Sequence, residues 1–470
     1  MPAPRRTAIL NIVGLCDRHI GPATPNIWEY RELGQRAFVE PAFPAVTCTA
    51  QSDYLTGKTA SEHGIVANGW YNRELAEVQF WKQSNHLVTA PKVWESLREK
   101  HPDFTCAKVF WWYNMYSSAD WSITPRPMYP ADGRKVFDVY THPSDIREGI
   151  KRDLGEFPFF GFWGPAAGRN TPQGDADAVS DWIARSAEWI EEHHSPTLSL
   201  VYLPHLDYNL QRIGPEARAI GTDLSEIDDI VGRLLNFYRQ RDVQVVLLSE
   251  YGITEVNRAI HPNRIFRDAG WLTVKDELGL ELLDPGASRA FAVADHQVAH
   301  VYLRPDQEPA FRDEVRQLLE KTPGVQAVLD GDGKREHGID HERAGDLIAV
   351  SDENSWFTYY YWQDDDRAPD FARTVDIHRK PGYDPVELFI DPQLSAPSLR
   401  VAWRLLQKKL GFRMLMDVIP LDAALVKGSH GCRPVSRADW PICIVPNDNW
   451  LKDEVINSTD IRDVIEQAVG

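Results

Sequence analysis

Three short apolar runs constrain the fold more than anything else in the chain: Ala8–Leu15, Leu198–Leu203 and Val243–Leu248. Each is continuous rather than alternating, as in a strand buried on both faces of a parallel sheet, and each ends in a polar, turn-prone segment. Helix-period stretches lie between them, Ala178–His193 and Leu224–Arg239. In the second, Ile227, Ile230, Val231, Leu234 and Leu235 form one apolar face. Alternating strands and helices predict an α/β fold with a central, mostly parallel sheet flanked by helices. Open sheets of that kind bind ligands at their strand carboxyl ends.

The rest of the chain reads as additions to this core. Residues 1–103 carry the first part of the core, and 104–165, rich in aromatics and proline, read as an insertion. Residues 166–254 resume the core. Residues 255–345 have strand-like pieces (Gln297–Leu303, Gly324–Leu329) and a helix-like piece (Ala310–Glu320), which suggests a smaller lid-like lobe. A core strand is expected at 346–355, a further insertion at 356–425, and the core end with a C-terminal tail at 426–470. A length of 470 residues would allow about three domains. With no repeat and no low-complexity linker, one core with long insertions fits better.

Composition narrows the partners. The formal net charge of −18 argues against a surface built for nucleic acid or an anionic membrane. It leaves an anionic small substrate open, because a bound metal ion inverts the local field. Five cysteines argue against a disulfide framework and for a reducing interior. No apolar stretch approaches the roughly 18 residues of a membrane helix, so the expected address is the cytoplasm. Oligomeric state is not readable.

The segment Glu40–Tyr71 bears the chemistry. It holds Phe43-Pro44-Ala45-Val46-Thr47 and, later, His63-Gly64-Ile65-Val66-Ala67-Asn68. A proline, two small or branched residues and then Thr47 before a helix-like stretch place a hydroxyl at a helix N-terminus, where the macrodipole favours an attacking alkoxide and an anionic substrate. By itself Thr47 also reads as a plain N-cap.

These blocks resemble the alkaline phosphatase superfamily, in particular its nucleotide pyrophosphatase/phosphodiesterase branch and the related phosphonoacetate hydrolases. There, Phe-Pro-x-x-Thr carries the nucleophile and His-Gly-Ile-x-x-Asn supplies an asparagine for the phosphoryl oxygens. The likeness continues at Leu203-Pro204-His205-Leu206-Asp207 with Gly214-Pro215, at Ser249-Glu250-Tyr251-Gly252, and at Gly428-Ser429-His430-Gly431 before the strand-like Pro441–Val445. The resemblance implies a metal-dependent phosphoric-ester hydrolase acting on a phosphorylated small molecule. Thr47 would be its nucleophile and Asn68 its partner, with one or two divalent ions (Zn, Mn, Mg or Fe).

The departures are specific. The family's first metal-binding Asp falls on Val13, a His four residues after Asp207 falls on Gln211, and an Asp-His pair falls on Glu250 and Tyr251. The expected ligands are therefore Asp207, Glu250 and His430, helped by Gln211 or by His378 and Asp376. Asp17/His19 and Asp295/His296 are further candidate replacements. Arg126, Arg379, Lys380 and His205 are candidates for holding substrate. Trp111-Trp112-Tyr113-Asn114-Met115-Tyr116 could stack on a flat ligand or simply pack a core. The altered ligand set leaves two other readings open: isomerase or transferase chemistry on a phosphorylated metabolite, or an inactive binding homologue.

Overall fold

Continuous apolar runs become the middle of the sheet. In the computed structural model, which describes residues 3–132, 134–168, 178–216, 218–446 and 449–470, Thr7–Ile12 forms β1 with all six residues buried. Gln35–Glu40 is β2, and Thr47–Thr56 is helix α1, buried throughout. Cys106–Val109, Trp121–Pro125 and Val139–His142 are β3, β4 and β5. Helix α2 (Ala178–His194) precedes β6 (Leu198–Leu203); α3 (His205–Ile213) and α4 (Gly221–Arg239) lead to β7 (Gln244–Leu248). Ala290–Asp295 and Val298–Leu303 are β8 and β9, Pro309–Glu320 is α5, and Val325–Leu329 and Leu347–Ser351 are β10 and β11. Helix α6 is Pro397–Lys409; Ile442–Val445 and Val455–Asn457 are β12 and β13.

The central sheet has nine strands in the order β13-β2-β12-β7-β1-β6-β3-β4-β5. β1 runs parallel to both neighbours, with Asn11 beside Tyr202 on one side and Leu248 on the other. Antiparallel pairing is confined to β12, against β2 and β7, and to β5 against β4. Helices cover both faces, so β1 and β6 contain no exposed residue and their sequences cannot alternate. The predicted apolar face of α4 is buried in the same core.

A second, four-stranded antiparallel sheet, β8-β9-β11-β10, builds the smaller lobe. Phe311 and Val315 of α5 pack in its core with Tyr359, Tyr360, Tyr361 and Trp362. Two segments differ from expectation. Residues 104–165, read as an insertion, supply β3, β4 and β5 to the central sheet; these strands have only four or five residues each and are hidden among aromatics and prolines. The strand expected in 346–355 as part of the core is β11, which joins the lobe. Residues 169–177, in the second core segment, lie outside the described residues. All five cysteines are free and buried.

Candidate active site

Thr47 is the first residue of α1 and only 3% exposed. Val46, the residue before it, is extended and has no side chain able to cap. The helix start is completed from elsewhere: the Cys48 N–H donates to Asn68 Oδ1 at 3.0 Å. Asn68 is therefore tied to the first turn of the helix that carries Thr47.

The ends of β1, β6 and β7 bring the other groups to Thr47. The Tyr251 hydroxyl, held protonated by burial, donates to Asp207 Oδ1 at 3.1 Å. Its single proton is thereby committed, so at 3.1 Å it accepts from Thr47 Oγ1. The Tyr251 ring stacks on His430, with centroids 3.6 Å apart and planes 6° from parallel. Gln211 Nε2 donates to Asp207 Oδ2 at 2.9 Å and also bonds the Tyr383 hydroxyl. Glu250 Oε1 accepts from Asn11 Nδ2 and from Gln51 Nε2, and the Trp112 N–H fixes Gln51 by donating to its Oε1 at 2.8 Å.

The smaller lobe closes the arrangement with a hairpin tip. Asp295 and Val298 pair across a two-residue turn, in which His296 adopts φ 60°. Asp295 accepts from the Asn68 N–H at 2.8 Å and from Asn68 Nδ2 at 3.1 Å, and lies 2.7 Å from His296 Nδ1. The His296 ring sits against Tyr383 and His430. The Gln297 N–H donates to the His430 carbonyl, and the Ala45 N–H to the Gly431 carbonyl. The segment Gly428–Gly431 thus joins the lobe to the turn that presents Thr47.

The electrostatics are those of a carboxylate group with no counter-charge. Burial pushes Asp207 up to about 7, Glu250 to about 8 and Asp295 to about 6. Hydrogen bonds from Tyr251, Gln211, Gln51, Asn11 and Asn68 offset this only in part. No Lys or Arg among the described residues forms an ion pair with the three; their nearest basic groups are the imidazoles of His430 and His296. Burial holds His430 well below the usual imidazole range. Its Nδ1 donates to the Ala45 carbonyl at 2.7 Å, so Nε2 carries a free lone pair. That atom has no hydrogen-bond partner and lies 4.0 Å from Asp207 Oδ1. Glu250 Oε2 is also buried without a partner.

His430 Nε2 and Glu250 Oε2, with Asp207, are the donor atoms a divalent cation here would use. They are not drawn together as a finished site: the 4.0 Å between His430 Nε2 and Asp207 Oδ1 is wider than the roughly 3.4 Å that two ligands at about 2.1 Å span in tetrahedral coordination, and the group of described residues whose ligand atoms lie within 4.8 Å of one another is His205, Asp223 and Glu226. The residues beside Thr47 supply no second ligand set. Val13 is packed in the apolar core; Asn11, two residues earlier, is the polar group β1 turns toward Glu250. Gln211 and Tyr251 are engaged with Asp207 and Tyr383.

Other sequence candidates lie apart. Lys380 is buried in an ion cluster with Asp384 and Glu387, at 2.8 and 2.9 Å, where it holds the 356–425 segment together. Arg379 pairs with Asp370 at the surface, and Arg126 is exposed. His378 Nδ1 points to the Phe80 carbonyl at 3.4 Å, and the Asp376 N–H donates to Glu387. Asp17 pairs with Arg31 and Arg36, and His19 Nδ1 accepts from the Cys16 N–H. His205 faces Glu226 at 3.3 Å and Asp223 at 4.0 Å. Trp111, Trp112 and Tyr113 are buried and pack the core, whereas Tyr116 is exposed. Sequence reasoning missed three contributors, Asn11, Gln51 and Tyr383. For Asn11 a signal existed: it is the one side-chain amide in an otherwise apolar strand.

Several known proteins share this architecture. A profile described as type I phosphodiesterase / nucleotide pyrophosphatase matches residues 7–384. An uncharacterized pyrophosphatase/phosphodiesterase of Schizosaccharomyces pombe is 22% identical over 253 residues, which cover 52% of this chain and 44% of the relative. The chain therefore spans less than half the length of that relative. Among solved structures, an inactive murine ectonucleotide pyrophosphatase/phosphodiesterase 5 in complex with AMP superposes with a TM-score of 0.58. It is 15% identical, over 99% of this chain and 95% of that one. Phosphonoacetate hydrolase from Sinorhizobium meliloti in complex with phosphonoformate gives a TM-score of 0.56 at 13% identity, over 99% and 97%. The fold is common to all three chains, and the matched region contains Thr47, Asn68, Asp207, Glu250 and Asp295. This chain belongs to the type I phosphodiesterase / nucleotide pyrophosphatase family.

Proposed function

We propose that the chain is a metal-dependent hydrolase of phosphoric esters or phosphoanhydrides in a phosphorylated small molecule, with Thr47 as the nucleophile. The observation that carries this reading is the continuous link from Thr47 Oγ1 through the Tyr251 hydroxyl to Asp207, at a helix start completed by Asn68. Thr47 Oγ1 attacks phosphorus as its proton passes by way of Tyr251 to Asp207 and the ester or anhydride oxygen leaves; water then cleaves the threonine–phosphorus bond, releasing the phosphoryl group with any ester group it still carries and restoring the Thr47 hydroxyl. Tyr251 orients the Thr47 hydroxyl: the Thr47 proton points at the Tyr251 oxygen, whose own proton goes to Asp207, and a Thr47 lone pair is left for the substrate. Asn68, held by Asp295 and by the first turn of α1, positions its amide for a phosphoryl oxygen. Asp207, His430 and Glu250 are the residues that would hold a divalent cation. Such a cation would neutralise phosphoryl charge and favour ionised Thr47. Mixed carboxylate and imidazole donors suit Zn, Mn or Fe better than Mg.

The test is turnover of a nitrophenyl phosphodiester with Mn or Zn added. Thr47→Ala is expected to lower kcat by about a thousandfold or more. Undiminished turnover in that variant overturns the nucleophile assignment.

A further inference from the structure

Helix α6 is amphipathic in the wrong sense for a helix that packs on a core. None of its thirteen residues is buried. Leu399, Trp403, Leu406 and Leu410 are 73%, 57%, 44% and 64% exposed, and their spacing puts them on one stripe. The chain beyond continues the patch with Phe412 and Leu415, also exposed. The inner side of the helix is held by Val401, which packs against the lobe core, and by Arg404, which bonds both oxygens of Asp417 at 2.9 and 2.8 Å.

Charge decides what such a face suits. Between Asp391 and Asp417 the sequence has five basic residues and no acidic one, in a chain of net charge −18. Arg400 and Arg404 share Asp417. Lys408, Lys409 and Arg413 are exposed and have no ion pair among the described residues. An apolar stripe that includes a tryptophan, flanked by unpaired cations on a convex helix, has the chemistry of a helix lying in a membrane interface. The net charge argues against lipid contact for the surface as a whole, but this segment has the opposite sign. No helix among the described residues is long and apolar enough to cross a membrane, so the contact would be in-plane.

We propose that α6 and the residues following it dock the protein on the surface of an anionic lipid bilayer, with Leu399, Trp403, Leu406, Leu410 and Phe412 in the interface and Lys409 and Arg413 on the head groups. The assignment does not depend on the phosphohydrolase reading. The full chain is expected to co-sediment with vesicles of mixed phosphatidylcholine and phosphatidylserine. Binding to phosphatidylcholine alone is expected to be roughly tenfold weaker, and binding to the mixed vesicles should fall with added salt. Trp403→Glu with Leu406→Glu should lower binding by about tenfold or more. Lys409→Ser with Arg413→Ser should remove the preference for the anionic lipid. Because these side chains are exposed, the thermal midpoint of each variant should match that of the parent. No co-sedimentation, or co-sedimentation unchanged in the Trp403/Leu406 variant, overturns the proposal. So does a lipid-free self-association in sedimentation velocity that the same variant abolishes, which would give the face to a second copy of the chain.

Discussion

Tyr251 falls where the resemblance implies a metal-binding histidine, and its contacts are those of a hydrogen-bonding group. A phenol is a poor ligand while protonated, and burial keeps this one protonated. Its hydroxyl instead bridges Thr47 and Asp207 at 3.1 Å on each side, and its ring stays stacked on His430. Tyr251→Phe keeps the ring and removes only the bridge. The expected result is a folded enzyme whose kcat falls by about a hundredfold with KM little changed, since a hydroxyl that orients a nucleophile acts mainly on the chemical step. An unchanged kcat would make Tyr251 a packing residue. The sequence made Thr47, Asn68, Asp207, Glu250 and His430 legible as candidates, which the fold brings to one place, because each sits in a motif at fixed distance from its neighbours. Asn11 stood out as an amide in an apolar strand, but its role, like those of Gln51 and Tyr383, was not legible for a physical reason. An amide or phenol gains its role only from the group the fold brings opposite it, here Glu250 for Asn11 and Gln51 and Gln211 for Tyr383.

At the scale of elements, the central-sheet strands found from sequence were the buried ones, where apolar character is uninterrupted. β3, β4 and β5 were missed because four or five residues give too short a pattern, and an edge strand such as β5 is partly exposed. What positions the chemistry is less the strands than the tight joins at their ends. Gly252 follows Tyr251 where the chain passes the Asp439 backbone. A Cβ built at Gly252 would lie 1.6 Å from the Asp439 carbonyl oxygen, a contact that neither side chain rotation nor a small shift can relieve. Gly252→Ala should therefore destabilise the fold by about 3 kcal/mol or more, read as a lower urea midpoint. Activity should fall with it, since Tyr251 and Glu250 ride on the displaced backbone. A midpoint equal to that of the parent would mean that the strand-end loop has room to spare.

At the scale of the molecule, the −18 charge is distributed unevenly, and the carboxylates that matter most are buried without a basic partner. Asp207 titrates near 7 and Glu250 near 8 in the folded chain, against ordinary values of 3.8 and 4.5. Because these folded-state values are raised, the folded protein holds protons that the unfolded chain has already released. Without metal, stability is therefore largest below about pH 4 on this account and falls as pH rises toward about 8. A cation held by Asp207, His430 and Glu250 reverses that trend, because it competes with the protons and binds more tightly as they leave. Chelator-treated protein should thus gain more in thermal midpoint from added Mn or Zn at about pH 8 than at about pH 5, in differential scanning calorimetry. The Asp207→Asn variant should lose most of that gain at both values. An equal gain at the two pH values, or a gain that survives in Asp207→Asn, would place the cation elsewhere, and His205 with Asp223 and Glu226, the group whose ligand atoms lie within 4.8 Å of one another, would be the place to look.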